Sequence, residues 1–175
     1  MAVTRPWQQG RAALLYQGTA RKLVLRLKHA DRHDIVRPAI HWMQRAANDL
    51  SLRDPIVVPI PLHWTRFLRR RYNQSALLAQ GLAQAMKLEY CPDLLLRPKS
   101  TPALEMATRD ERFALLRGAI VLNPRRIAVA RGRSILLVDD VMTSGATFSA
   151  ATQACLQSQA GEVRVIALAR VAKHA

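Results

Sequence analysis

At 175 residues, half of them hydrophobic, the chain has the size of one ordinary domain with material for a sizeable core. No apolar stretch reaches the roughly 18 to 20 residues that span a bilayer, and no secretory leader is visible, so the expectation is a cytoplasmic protein without membrane insertion. The 27 Lys and Arg against 12 Asp and Glu give a net charge of +15, which favours phosphate-rich partners without choosing among a nucleotide, a pyrophosphate and a DNA strand.

Near the N-terminus, Thr19 is placed to cap a helix carrying Leu23, Val24 and Leu27 on one face. Asp34 opens a second helix, in which Val36, Ile40, Met43, Ala47 and Leu50 recur at helical spacing and Pro38 falls in the tolerant first turn. Two amphipathic helices are therefore expected ahead of the first strand, and residues 1–52 are read as a helical hood on a core of residues 53–175. Pro55-Ile56-Val57-Val58-Pro59-Ile60 is a β-branched run bounded by prolines, which predicts a short buried strand. A basic loop over residues 66–71 follows. Asn73 then caps a helix with Leu78, Leu82, Ala85 and Met86 at helical spacing, residues 88–96 hold a weak strand, and a short helix runs over residues 109–116.

The strongest strand is Ser134-Ile135-Leu136-Leu137-Val138-Asp139, a continuous apolar run of the kind found in a sheet covered on both faces. A helix with Phe148, Ala151, Cys155 and Leu156 on its buried side follows at once, Gly161 ends it, and residues 163–169 form another strand. That β-α-β unit implies parallel neighbours joined by a right-handed crossover. The fold class expected is α/β, a central parallel sheet flanked by helices. Cys91 and Cys155 lie far apart in no metal-binding spacing, and Cys155 reads as core.

Ligands of open α/β sheets bind beyond the carboxyl ends of the strands, and here a strand ends in Asp139-Asp140. Once the strand frays, both carboxylates can face the crevice, accept hydrogen bonds from sugar hydroxyls or hold a divalent cation. Val141 and Met142 lead into Thr143-Ser144-Gly145-Ala146-Thr147, a small-residue turn opening a helix, whose amides, hydroxyls and dipole suit a phosphate. Gly145 lets the backbone approach the anion closely. Acids for ribose hydroxyls followed by a phosphate nest describe a ribose 5-phosphate site. Two stretches are basic and free of acids, residues 55–88 with five Lys and Arg and residues 112–138 with six, and both are candidate phosphate-facing surfaces.

Residues 135–148 resemble the binding signature for 5-phosphoribosyl-1-pyrophosphate (PRPP) of type I phosphoribosyltransferases. Tyr16-Gln17-Gly18, Leu27-Lys28, Pro59-Ile60-Pro61-Leu62-His63, Arg70-Arg71-Tyr72-Asn73-Gln74, Thr101-Pro102, Arg112-Phe113 and Gly118-Ala119 resemble, in order, motifs of the competence protein F (ComF) family. Arg71 stands where that family usually carries Gly, and Leu104 where it often carries Gln. The resemblance implies a type I fold and PRPP with Mg2+ as ligand. It assigns Asp139 and Asp140 to the ribose hydroxyls and the metal, residues 141–147 to PRPP with Thr143 to Thr147 on the 5-phosphate, and the loop of Pro61, Arg66, Arg69 and Arg70 to the pyrophosphate. It also implies phosphoribosyl transfer to an acceptor, a link to DNA uptake and its machinery, and an N-terminal four-cysteine zinc module for which this chain has no residues.

The rival reading is a non-enzymatic protein that senses PRPP or binds single-stranded DNA, with Arg71 and Tyr72 as contacts. Only 5% of residues are aromatic, few for a single-strand groove. Trp7, Trp42 and Trp64 are scattered, and Trp42 borders a core stripe. No P-loop string is present.

Overall fold

A computed structural model describes residues 5–27, 33–51, 53–65, 72–100 and 108–172. The chain opens with strand β1 (Gln9–Leu15), helix α1 (Gly18–Leu27) and helix α2 (Val36–Ala47), the last entered through a 3-10 turn. Strand β2 (Ile56–Pro59) and helix α3 (Gln74–Met86) follow, then the short strands β3 (Leu95–Leu96) and β4 (Val121–Leu122), with helix α4 (Arg109–Leu116) between them. The single turn α5 (Ile127–Ala130) precedes the final unit of β5 (Ile135–Met142), α6 (Ala146–Gln157) and β6 (Val163–Arg170).

Four strands form one sheet in the order β1-β6-β5-β2, every pairing parallel. Alternation along β5 sets the two cores, because successive side chains leave a strand on opposite faces. Leu136 and Val138 join Val57, Ile166 and Leu168 under the apolar sides of α1, α2 and α3, from Val24 and Leu27 to Met43, Leu78 and Leu82. On the other face Ile135 and Leu137 join Ile56, Val58, Val163 and Val165 under Phe148, Ala151 and Cys155 of α6 and Leu116 of α4. The result is three layers, with the sheet sealed on both sides as its apolar runs require. Within the first layer α2 and α3 pack closely, since a Cβ on Gly81 would lie 2.0 Å from Ile40 Cδ1.

Three sequence expectations are corrected. The first strand is β1, which precedes both helices and pairs with β6 from Gln9↔Arg164 to Leu15↔Arg170. Its sequence, Gln-Gly-Arg-Ala-Ala-Leu-Leu, has no β-branched residue and therefore no strand signal of its own. The parallel register with β6 supplies its hydrogen bonds, extended by Gln8 N to Val163 O at 3.0 Å and Tyr16 N to Arg170 O at 2.7 Å. Residues before β2 are thus not helical alone, and α1 and α2 bury their apolar sides on the sheet as part of a core layer. Leu156 is 39% exposed, its place on the buried side of α6 taken by Ala154. Residues 88–96 divide into a bridge from Tyr90 to Val57, which covers the outer edge of β2, and β3, which pairs with β4 outside the main sheet.

Thr19 does not cap α1 but lies inside it, since that helix starts at Gly18, and α2 starts after Ile35 without a side-chain cap, Asp34 falling in the 3-10 turn before it; the next two helix starts match their sequence signals. Asn73 Oδ1 accepts from Ser75 N at 3.0 Å at the head of α3. Thr108 and Glu111 form a reciprocal capping box at the head of α4, with Thr108 N donating to Glu111 Oε2 at 2.7 Å.

Cys155 is fully buried, and burial pushes its thiol pKa up to about 12. A thiol reagent such as Ellman's is expected to leave Cys155 unmodified in the native protein and to modify both Cys91 and Cys155 in urea. Rapid labelling of Cys155 without denaturant would contradict its place in the core.

Candidate functional site

Neighbouring strands β2 and β5 send the chain to opposite faces of the sheet, β2 toward α3 and β5 toward α6. Such a switch point opens a crevice at the carboxyl ends of the two strands. Ile60 N donates to Val138 O at 2.9 Å, so the loop after β2 starts alongside the residue that precedes the two acids. Asn73 Nδ2 donates to Ile60 O at 3.1 Å and brings the head of α3 to the same place. Pro61 is the next residue of this loop. His63 is buried in this loop, its Nδ1 2.8 Å from Thr65 Oγ1.

Asp139 and Asp140 lie inside β5, not beyond it, which corrects the expectation that the strand frays before them. Pairing with β6 runs through Asp139↔Ala167 and resumes at Val141↔Ala169 and Met142↔Arg170. Val138 and Val141, three residues apart, pack in the same core cluster. Each carboxylate accepts from the next backbone amide, Asp139 Oδ1 from Asp140 N at 2.9 Å and Asp140 Oδ1 from Val141 N at 2.8 Å. Asp139 Oδ1 also accepts from Ser75 Oγ at 2.7 Å, a bond from the head of α3 across the crevice. Burial of the carboxyl group and the neighbouring Asp140 charge push the Asp139 pKa up to about 8 against the relief given by Ser75.

Beyond Met142 the chain turns through Thr143, Ser144 and Gly145 into α6. Gly145 has φ +83°, a left-handed conformation that disfavours a side chain. Its carbonyl accepts from Ser149 N at 2.9 Å as the first bond of α6, and Ala146 N donates to Ser144 Oγ at 3.3 Å. Ala146 and Thr147 form the first turn, so residues 143–147 make the amide-rich helix entry expected of them. Arg5 Nη1 donates to Ser144 O at 2.7 Å, and its guanidinium lies 5.1 Å from the Trp7 ring centroid. Trp7 meets Phe148 of α6 edge to face at 6.1 Å. Burial, and secondarily the Arg109 charge, lower the Arg5 pKa. A cavity of about 300 Å³ beside this loop, between Pro6, Phe113, Leu116, Arg117, Ala146 and Ser149, includes neither acid.

Arg66, Arg69, Arg70 and Arg71 fall outside the described residues. Tyr72 is half-buried, and its hydroxyl donates to Leu27 O at the end of α1. The second basic stretch is not wholly phosphate-facing. Arg133, just before β5, sits at the amino edge of the sheet, opposite the crevice, and pairs with Glu89 at 3.0 Å, while Arg126 pairs with Asp93 at 3.0 Å. Ser75, Arg5 and Trp7 escaped sequence reasoning, for nothing local marks a serine whose partner lies 64 positions later or an arginine whose partner lies 139 positions later.

No cluster of three His, Cys, Asp or Glu fit to hold a metal occurs among the described residues. The adjacent carboxylates Asp139 and Asp140 fit an ion such as Mg2+, which keeps waters and is held by one or two carboxylates together with substrate oxygens.

A parallel α/β sheet with helices on both faces, whose acidic strand end feeds a glycine-opened helix at the switch point, defines a type I phosphoribosyltransferase-like fold. No protein-family model matches the chain. It is 30% identical over 172 residues to DNA utilization protein YhgH of Escherichia coli K12, covering 94% of this chain and 73% of that protein. Competence protein F of Haemophilus influenzae is 30% identical over 118 residues, 65% of this chain and 49% of that protein. The chain belongs to the ComF family. Among solved structures, TT1426 from Thermus thermophilus aligns with TM-score 0.46 and 19% identity over 80% of this chain and 85% of its own. An HPRT with an invariant aspartic acid changed to asparagine aligns with TM-score 0.43 and 12% identity over 88% and 77%.

The raised Asp139 pKa makes stability depend on pH. Between the unfolded value near 4 and the folded value of about 8, the folded state binds more protons, so this group's contribution falls as pH rises through that window. Asp139→Asn is isosteric and uncharged. Without ligand it is expected to melt roughly 2–4 °C or more above wild type at pH 8, about 1 kcal/mol, with the gap closing near pH 4. Equal melting temperatures at both pH values would refute the buried-charge account.

Proposed function

We propose that the chain binds PRPP with Mg2+ in the β2–β5 crevice and transfers its phosphoribosyl group to an acceptor, releasing pyrophosphate. The observation that carries this reading is the meeting, at one switch point, of the Asp139–Asp140 pair, the helix entry of residues 143–147 and the start of the loop after β2. Thr143, Ser144, Gly145, Ala146 and Thr147 hold the 5-phosphate with backbone amides and hydroxyls. Asp139 and Asp140 hold the ribose hydroxyls. Pro61 and, from the basic segment beyond it, Arg66, Arg69 and Arg70 face the pyrophosphate.

During transfer the bond from ribose C1 to the pyrophosphate oxygen breaks, the bonding pair leaves with pyrophosphate, and an acceptor lone pair forms the new bond to C1 as the acceptor loses a proton. Positive charge builds on the ring, as in glycoside hydrolysis, where nearby carboxylates stabilise it. Arginines stabilise the negative charge that collects on the leaving group. Bound Mg2+ would neutralise pyrophosphate oxygens. Its charge would also favour the ionised form of Asp139, whose proton leaves as the ligand enters.

Mg2+-PRPP at about 100 times its Kd is expected to stabilise wild type by about 2.7 kcal/mol, read as a higher melting temperature. Asp139→Asn with Asp140→Asn should abolish the shift relative to its own unliganded baseline, and an undiminished shift would sink the site assignment. A screen of nucleobases and amines for PRPP-dependent pyrophosphate release tests turnover and identifies the acceptor.

A second reading, binding of single-stranded DNA in a competence or DNA-utilization role, draws on the names of the relatives, the net charge of +15 and one structural observation. Trp64 is 63% exposed two residues before Arg66, so the basic segment has an aromatic surface beside it as well as Tyr72. Stacking on an aromatic ring beside cations is how strands are held without sequence preference. Such binding should weaken steeply with salt, and further in Trp64→Ala and in Arg69→Ala/Arg70→Ala/Arg71→Ala. Affinity indifferent to salt and to both variants would rule this surface out.

A further inference from the structure

We propose that Arg5, on the segment leading into β1, is a positioning residue for the phosphate loop: by holding the Ser144 carbonyl it aims the Gly145 amide at the ligand phosphate. This deepens the reading of residues 143–147 as the 5-phosphate site and rests on it.

Peptide geometry makes the connection. In a trans peptide the carbonyl of one residue and the N–H of the next point in opposite directions. Arg5 Nη1 donates to Ser144 O at 2.7 Å, so the 144–145 peptide is held with its carbonyl toward the guanidinium and its Gly145 N–H away from it. A charge-assisted bond of this length is among the stronger ones available to a loop. The guanidinium is itself held, 5.1 Å from the Trp7 centroid, while Trp7 packs edge to face on Phe148. Phe148 is 1% exposed in the first turns of α6, which ties the clamp to the helix whose entry it shapes.

Gly145 completes the fit. A Cβ there would lie 2.3 Å from Arg5 Nη1 and 3.1 Å from Trp7 Cη2, so the bare backbone is what allows the guanidinium this close. The left-handed φ of +83° at Gly145 and the Arg5 bond at Ser144 thus describe one arrangement, a loop turned by a clamp from a distant part of the chain. The bond goes to the carbonyl side of the loop, the side away from the Gly145 amide. Arg5 consequently acts through the loop, and its positive charge adds to the field at the head of α6.

Isothermal titration with ribose 5-phosphate and, separately, with Mg2+-pyrophosphate tests the assignment. Arg5→Ala is expected to weaken ribose 5-phosphate about tenfold while changing Mg2+-pyrophosphate by less than about twofold, in line with the worth of a charge-assisted hydrogen bond. Arg5→Lys, which keeps a charged donor for the Ser144 carbonyl, should recover most of the loss. Unchanged ribose 5-phosphate affinity in Arg5→Ala, or equal weakening of both ligands, would overturn the proposal while leaving the site itself standing. A wild-type protein that binds neither PRPP nor ribose 5-phosphate would remove the site and the clamp together.

Discussion

Strand β5 is sealed by helices on both faces, and only at its carboxyl end does a side chain reach the crevice. Its neighbour β2 ends earlier, opposite Val138, and turns the other way, so the gap between the two exits cannot be closed by either following helix. The constraint is topological, since parallel strands with crossovers on opposite faces leave a cleft wherever the direction changes. Polar groups gather there because nowhere else along β5 can they meet a partner. The Ile60–Val138 backbone bond and the Ser75–Asp139 bond then draw the two exits together, so that strand, loop and helix head form one site wall.

Asp139 carries the tension in this arrangement. Its carboxyl group is desolvated beside a second carboxylate, with Ser75 and the Asp140 amide as partial compensation, and the balance keeps a proton on it into the neutral range.

The excess of basic residues is not one surface. Arg126 is paired with Asp93, Arg133 with Glu89 at the amino edge of the sheet, and Arg5 is committed to the helix entry after β5. Net charge alone therefore speaks to attraction of anions and not to where they bind.

Periodicity and punctuation determined much of this protein. The apolar run of β5, the Asn73 cap and the glycine-opened helix at residues 146–157 are local patterns whose meaning depends on near neighbours, and each stands in the structure where the sequence puts it. Tertiary structure alone decided the rest. β1 is a strand because β6 offers it a parallel register, although its residues have little preference for one. Leu156 faces out because Ala154 sits better against the sheet face. Ser75 reaches Asp139, and Arg5 reaches Ser144, across 64 and 139 positions of chain, through hydrogen bonds that neither residue's surroundings in the sequence can announce. Local preference is written in adjacent residues, whereas partners brought together by sheet order and crossover direction exist only once the layers have packed.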